Sequence, residues 1–346
     1  MRWSKRLISS LVLSVLAAAL ADSQSLTLVH KKKYVMGTVF EVVAYHDSPT
    51  HASNAIDEAF QEIARLDSIM SNYKSDSDLS RLNRTAHFHA ESVSPDLYRV
   101  IETSLRYSKL SDGEFDITVG PLVNFWKSVI RGERSRSPGD EANLRKCVGY
   151  NKIVLLPPDR IEFRCPSLQI DLGAIGKGYA VDRVVAILRS HGISKALVNA
   201  GGSTIYGMGF PPGESAWRVR LRDPSGKNNP EVLLSENSVS TSEQTASSLF
   251  GDNQAGHIID PQNGEPVKTA IAVTVLAQTA TDSDALSTTL LLLGPQKGSA
   301  VVKGISEAAA IWIAPSGQVE TASSGPRISF VREGHPQIAR ERKADK

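Results

Sequence analysis

Between Leu168 and Arg189 an apolar, strand-like run ends at Asp171, passes through Gly173, Gly176 and Gly178, and becomes an amphipathic helix. Glycines at such a junction let another group approach bare backbone, and a helix N-terminus leaves N–H groups pointing outward. The turn therefore suits an anion, and Lys177 adds a positive charge inside it. It is not a P-loop, because the Gly-Lys pair is followed by Gly178 rather than Ser or Thr. Nor is it G-x-G-x-x-G, since the glycines stand in the reverse arrangement and no acidic residue closes a second strand. Taken alone, the same residues equally describe an ordinary tight strand–helix connection.

With 346 residues the chain can form one large domain or two of ordinary size. A net charge of +2 gives no case for nucleic-acid binding. Arg2, Lys5 and Arg6 precede an apolar run from Leu7 to Leu20 and a small-x-small site at Ala19-Leu20-Ala21. That order reads as a secretory signal peptide over residues 1–21, too short for a good membrane span, with an uncleaved anchor as the alternative. No cysteine stands directly after the apolar run, so a lipid anchor is not expected. The mature chain would begin near Asp22, without a stable membrane span, in an exported compartment. The two cysteines, Cys147 and Cys165, flank a hairpin signal and fit neither a zinc site nor C-x-x-C. They read as structural, either a disulfide or two quiet thiols.

In chain order, Leu26 to Tyr45 is extended, with Gly37 in its middle as a point of close approach. A helix is expected from Asn54, as N-cap, to Met70, followed by a polar segment carrying Tyr73. Ser94-Pro95 opens a second helix that stops at Asp112-Gly113. The segment from Arg131 to Asn143 reads as a surface loop. Trp217-Arg-Val-Arg-Leu-Arg alternates strictly, a half-exposed strand with arginines on the wet face. Gly256-His257-Ile-Ile-Asp runs towards a tight turn at Asn263-Gly264. The helix from about Thr281 to Leu293 is apolar nearly all round, and residues 337–346 read as a charged, disordered tail. Strands and helices alternate without a barrel's period, so the expected fold is α+β, with mixed sheets and packed helices in one compact unit spanning residues 22–336.

Asp284, Ser287 and Thr288 fall on one face of that buried helix. Oxygen ligands so grouped suit a hard cation such as Mg²⁺, which takes one or two protein carboxylates and completes its shell with water and phosphate. The alternative is that Asp284 caps the helix and Thr288 bonds back to the preceding turn. His257 is a catalyst or a structural hydrogen-bonder. No H-E-x-x-H and no G-x-S-x-G is present.

Together these segments resemble the ApbE family, the FAD:protein FMN transferases. The likeness runs from Met36 to about Gly294 and rests on several ordered motifs. These are Met36-Gly37-Thr38, Tyr73, Phe115-Asp116-Ile-Thr-Val-Gly-Pro-Leu, Asp171-Leu-Gly-Ala-Ile-Gly-Lys-Gly-Tyr-Ala-Val-Asp182, Asn199-Ala-Gly-Gly, His257-Ile-Ile-Asp-Pro and Asp284-Ala-Leu-Ser-Thr. The resemblance implies an ApbE-like, T-fold-related architecture. It implies that FAD and Mg²⁺ are bound and FMN is transferred to a Thr or Ser of an acceptor protein carrying a flavinylation motif, releasing AMP. Flavin contacts map to Met36, Tyr73, Glu114, Phe115, Asp116, Asp171, Lys177 and Ile258. Metal ligands map to the Ala174 carbonyl, Asp284 and Thr288, with Ser287 alongside; His257 maps to the residue that helps activate the acceptor hydroxyl. Mg²⁺-dependent cleavage of FAD to FMN and AMP, and non-catalytic FAD binding, remain the alternatives. One departure stands out: Glu243 follows Thr241-Ser242, where the family usually has glycine.

Overall fold

The structure is a computed structural model that describes residues 26–244, 258–268, 270–325, 330–332 and 335–337. The expected signal peptide and His257 lie outside the described residues. In chain order the elements are β1 (Thr27–Val35), β2 (Thr38–His46), α1 (Pro49–Met70), α2 (Asp78–Thr85), β3 (Glu91–Ser92), α3 (Pro95–Leu110), α4 (Gly120–Ile130) and α5 (Pro138–Arg145). There follow β4 (Ile153–Leu156), β5 (Arg160–Phe163), α6 (Gly176–Ser190), β6 (Ala196–Ala200), β7 (Thr204–Met208), β8 (Trp217–Arg220), β9 (Glu231–Leu234) and β10 (Asn237–Glu243). The chain continues through β11 (Ala272–Ala277), α7 (Ala280–Lys303), β12 (Ala309–Ile313), β13 (Val319–Ser323), β14 (Phe330–Arg332) and β15 (His335–Gln337). Gln337, the first residue of the expected tail, thus ends a short strand; the residues after it lie outside the described ones.

The α+β expectation holds. Eight strands form one sheet in the order β1-β2-β6-β7-β10-β11-β12-β13, with every neighbouring pair antiparallel. The meander is interrupted by the chain from α1 to α6 between β2 and β6, by the β8–β9 hairpin between β7 and β10, and by α7 between β11 and β12. One sheet face carries Phe40, Val42, Ala196, Val198 and Val275 against the helices, in the larger buried core. The other is covered by the hairpin, whose Trp217, Val219, Val232 and Leu234 close over Val239, Leu276 and Ile311. Strict alternation in β8 makes this possible, with Trp217 and Val219 buried and Arg218 and Arg220 exposed. Among the described residues no helix is long and apolar enough to cross a membrane.

Several boundaries differ from the sequence reading. The extended run from Leu26 is two strands, because Met36 and Gly37, both at positive φ (51° and 71°), make a two-residue hairpin turn. Gly37 is there for backbone conformation; a Cβ on it would meet nothing within 4 Å. The first helix starts earlier than Asn54, because Ser48 accepts from the His51 N–H and Pro49 sets the first turn. Helices α2 and α4 stand where the sequence reading names no helix, and Ser137 caps α5 inside the expected loop. The run ending at Asp171 is no sheet strand; among the described residues it makes one isolated parallel bridge, Val119 to Gln169.

Cys147 and Cys165 form a disulfide across 18 residues of chain. Closing a loop of that size is worth about 3 kcal/mol through the unfolded state. Reduction, or the Cys147→Ser/Cys165→Ser variant, is expected to lower Tm by roughly 5–10 °C, measured by thermal denaturation with and without reductant.

Candidate functional site

A cavity of about 980 Å³ opens at one end of the main sheet, between the β1–β2 turn, the α6 N-terminus, the end of β10 and one face of α7. Its walls come from residues far apart in the chain, from Met36 to Leu292.

Helices α6 and α7 make one wall. Gly178 lies in the first turn of α6 with its Cα against α7: an added Cβ would stand 2.2 Å from the Ala280 carbonyl oxygen and 2.7 Å from Asp284 Cβ. The glycine therefore permits helix–helix contact. Its N–H donates to Asp284 Oδ2 at 2.8 Å. The two helices are also locked by Asp182, whose carboxylate accepts from the N–H groups of Ala280 and Thr281, both at 2.8 Å. Burial pushes the Asp182 carboxyl up, while these bonds and the Thr281 hydroxyl oppose the shift. The Asp that closes the glycine motif thus satisfies orphan donors at the next helix's start.

Asp284 does not cap α7; Thr279 does, accepting from the Asp282 N–H. Asp284 is instead buried against the sheet, where Thr204 Oγ1 donates to its Oδ1 at 3.2 Å. An ionised carboxylate only accepts. Thr204 must then accept from elsewhere, and Ser240 Oγ donates to it at 3.1 Å. Ser240 in turn meets Ser283 Oγ at 2.8 Å. The antiparallel register that pairs Ser240 with Thr204 creates this chain of hydroxyls. Burial raises the Asp284 carboxyl from its ordinary value; the Lys177 charge, the Gly178 N–H and the Thr204 hydroxyl act in the opposite direction.

Thr288, one turn along α7, shares a hydrogen bond of 3.0 Å with Ser242 Oγ rather than bonding back to its own helix. Ser287 does bond back, to the Asp284 carbonyl at 2.8 Å, and also meets Ser242 at 2.8 Å. Asp284 and Thr288 line the cavity, as does Ala174 at the turn before α6; Ser287 is buried behind them and does not. The donors facing the space are carboxylate and hydroxyl oxygens, a set that fits a hard cation. Among the described residues no cluster of three or more His, Cys, Asp or Glu side chains would hold a metal by itself. A cation beside Asp284 would be completed by carbonyl, water or ligand oxygens.

The remaining expected positions converge on the same space. Met36, Glu114, Phe115, Asp116, Asp171, Lys177 and Ile258 all line it, and so does Tyr73, which is 81% exposed at the mouth. Lys127 donates to the Tyr73 hydroxyl at 2.8 Å. Lys177 donates to Ser203 Oγ at 2.6 Å. Asp171 accepts from the Gly173 N–H at 2.7 Å, which folds the turn back on itself. The Asp116 carboxylate is taken up by its own surroundings, accepting from the Thr118 N–H and hydroxyl and from the Tyr150 N–H at 2.7–2.8 Å. Asp116 therefore shapes the wall by holding two segments together. Burial raises the Glu114 carboxyl, helped by Asp260 and opposed by Lys297.

Sequence reasoning missed the Thr204–Ser240–Ser283 hydroxyls and the rim residue Arg222. Arg222 Nη1 lies 3.3 Å from Glu243 Oε2, and both line the cavity. The strict alternation of the arginine strand was a signal for Arg222's exposure but not for its position at the rim.

Comparison with known proteins gives one consistent result. Residues 36–312 match the ApbE family. A protein of Escherichia coli K12 called FAD:protein FMN transferase is 33% identical over 251 residues, 68% of this chain and 70% of the relative. A Haemophilus influenzae protein of the same description is 30% identical over 314 residues, covering 86% of this chain and 90% of the relative. Among solved structures, the flavin transferase ApbE of Vibrio cholerae superposes with a TM-score of 0.76 at 27% identity, over 86% of this chain and 98% of that one. The apo flavinyl transferase ApbE of Pseudomonas stutzeri gives 0.76 at 29% identity, over 86% and 96%.

Proposed function

The chain belongs to the ApbE family, and from that premise we propose that it is an Mg²⁺-dependent FAD:protein FMN transferase acting in an exported compartment. The reading is carried by one observation. Apart from Ser287 and His257, every site residue expected from sequence lines a single cavity, although these residues are scattered from Met36 to Thr288.

In the proposed reaction the hydroxyl oxygen of an acceptor Thr or Ser forms a bond to the phosphorus on the FMN side of the FAD pyrophosphate. The bond from that phosphorus to the bridging oxygen breaks, and AMP leaves with the oxygen and its electron pair. The acceptor's proton passes to a base, a role we assign to His257. A reaction of this kind needs positioning and charge neutralisation more than covalent help from the protein. Asp284, Thr288 and the Ala174 carbonyl would hold Mg²⁺, which when bound neutralises pyrophosphate charge and stabilises the departing phosphate. Lys177 supplies a second positive charge on the same wall. Tyr73, exposed at the mouth, offers an aromatic face to the flavin. Mature protein incubated with FAD, Mg²⁺ and a peptide carrying an Asp-x-x-Thr-Gly-x-Thr segment should acquire FMN covalently on the peptide, detected by mass spectrometry. Free FMN with unmodified peptide would instead mark a hydrolase, and intact FAD a binding protein.

The hydroxyl chain behind Asp284 makes a separate prediction. Thr204→Val keeps the side chain's shape but removes the donor to Asp284 Oδ1. Losing such a supporting contact is expected to weaken Mg²⁺ binding about ten- to a hundredfold, read by calorimetry, with Thr204→Ser restoring it. Equal affinity in Thr204→Val and wild type would remove Thr204 from the positioning of Asp284.

A further inference from the structure

The β8–β9 hairpin covers the sheet's outer face with an apolar underside and turns a row of arginines outward. Arg218, Arg220 and Arg222 follow one another at every second residue, with side chains 59%, 72% and 57% exposed. At about 3.3 Å per residue the row is roughly 13 Å long. Its last member, Arg222, lines the cavity rim; the other two lead away across the solvent face. Only two carboxylates answer the three guanidiniums among the described residues. Glu231 lies 3.0 Å from Arg218 and 3.9 Å from Arg220, and Glu243 lies 3.3 Å from Arg222. The strip therefore keeps a positive excess, greatest at Arg220. In its sheet β8 pairs with β9 alone among the described residues.

We propose that this arginine strip is the docking surface for an acidic, extended segment of the acceptor protein, laid along β8 so that the adjoining Thr or Ser reaches the cavity mouth. The inference rests on the transferase reading, since only a protein substrate needs a track leading to the site. Three features favour a peptide over a lipid surface. The repeat of the arginines matches the same-face spacing of an extended chain. The row is continuous with the rim of the cavity. Glu243, beside Arg222, places a negative charge where the track meets the site, which disfavours an acidic group there and sets how far the acidic run extends towards the acceptor hydroxyl. Each exposed ion pair is weak and screened by salt, so the strip selects partners and speeds encounter rather than anchoring them.

The test uses the full mature protein with FAD and Mg²⁺. Two labelled peptides carry the same Thr acceptor segment, one flanked by Glu at alternate positions and the other by Gln. At low salt the Glu peptide should bind about tenfold tighter by fluorescence anisotropy, from two exposed pairs. In Arg218→Gln/Arg220→Gln that preference should fall to within about twofold, with Tm unchanged because both side chains are exposed. Equal binding of the two peptides to wild type, or an intact preference in the variant, would overturn the proposal. So would a variant that loses affinity for phosphatidylglycerol vesicles while keeping its peptide preference, since the strip would then be a membrane surface. FMN transfer is followed in parallel by mass spectrometry. Absence of FMN from every peptide, with the binding preference intact, removes the transferase reading and leaves the acidic-peptide strip standing.

Discussion

Asp284→Ala is expected to abolish FMN transfer, with a fall of at least about a thousandfold, since a cation's charge stabilisation is worth several kcal/mol at roughly 1.4 kcal/mol per decade. The size follows from what the carboxylate does in the fold. It is buried beneath the cavity wall and held from two sides, by the Gly178 N–H and the Thr204 hydroxyl. It is also the negative charge that Lys177 offsets within the site. Alanine removes the only carboxylate among the proposed metal ligands and leaves two buried donors without an acceptor. Asp284→Asn keeps the volume but removes the charge, and its amide N–H groups would also face one of those donors, so one hydrogen bond is lost with the charge. Both variants should lose Mg²⁺ binding by calorimetry along with turnover by mass spectrometry. Persistent Mg²⁺-dependent transfer in Asp284→Ala would show that the metal is held elsewhere.

Gly178→Ala should be the most damaging one-carbon change in the chain's glycine motif. The new Cβ would overlap the Ala280 carbonyl at 2.2 Å and 2.7 Å, backbone atoms that cannot swing aside, so α6 and α7 must separate. Overpacking of this sort costs about 1–3 kcal/mol, a fall of roughly 3–10 °C in Tm. Separation also pulls the Gly178 N–H from Asp284, and a misplacement near 1 Å costs about a hundredfold in rate. Gly176→Ala is the control for stability. Its Cβ would meet only Leu172 and Met36 side-chain atoms, at the ordinary distance of 3.9 Å, so its melting temperature should stay close to wild type. If the two variants melt alike, the close approach of the helices is not what the glycine is for.

These glycines also mark the limit of what the sequence discloses. The pattern correctly announced a point of close approach, but an anion was the expected visitor. At Gly178 the visitor is the backbone of α7, and its N–H already serves a carboxylate over a hundred residues away. Spacing within one segment cannot reveal a partner from another. For the same reason the Thr204–Ser240–Ser283 chain was invisible: three hydroxyls on β7, β10 and α7 look like ordinary polar positions until strand register sets them in line. Asp284 and Thr288 were legible because they share one face of a buried helix, and polar groups on a buried helix demand a reason. The elements misread were short, as α2 and α5 are, or began with a cap upstream of the stripe, as α1 does at Ser48. Arg222 was read correctly as exposed, yet its place beside Glu243 depends on how a hairpin folds over the far face of the sheet.

The β8–β9 hairpin interrupts the meander between β7 and β10, which pair with each other in the main sheet. Its apolar underside is tied to the sheet, whereas its outward residues lie outside the cavity walls except at Arg222. On the proposed reading, acceptor recognition and catalytic chemistry occupy separable stretches of one polypeptide. A lineage can rewrite the charges on the hairpin's upper side and change clients while the reaction centre stays constant. An engineer can do likewise, by grafting a hairpin with the same buried residues and a different outer row to redirect flavin labelling to a chosen protein.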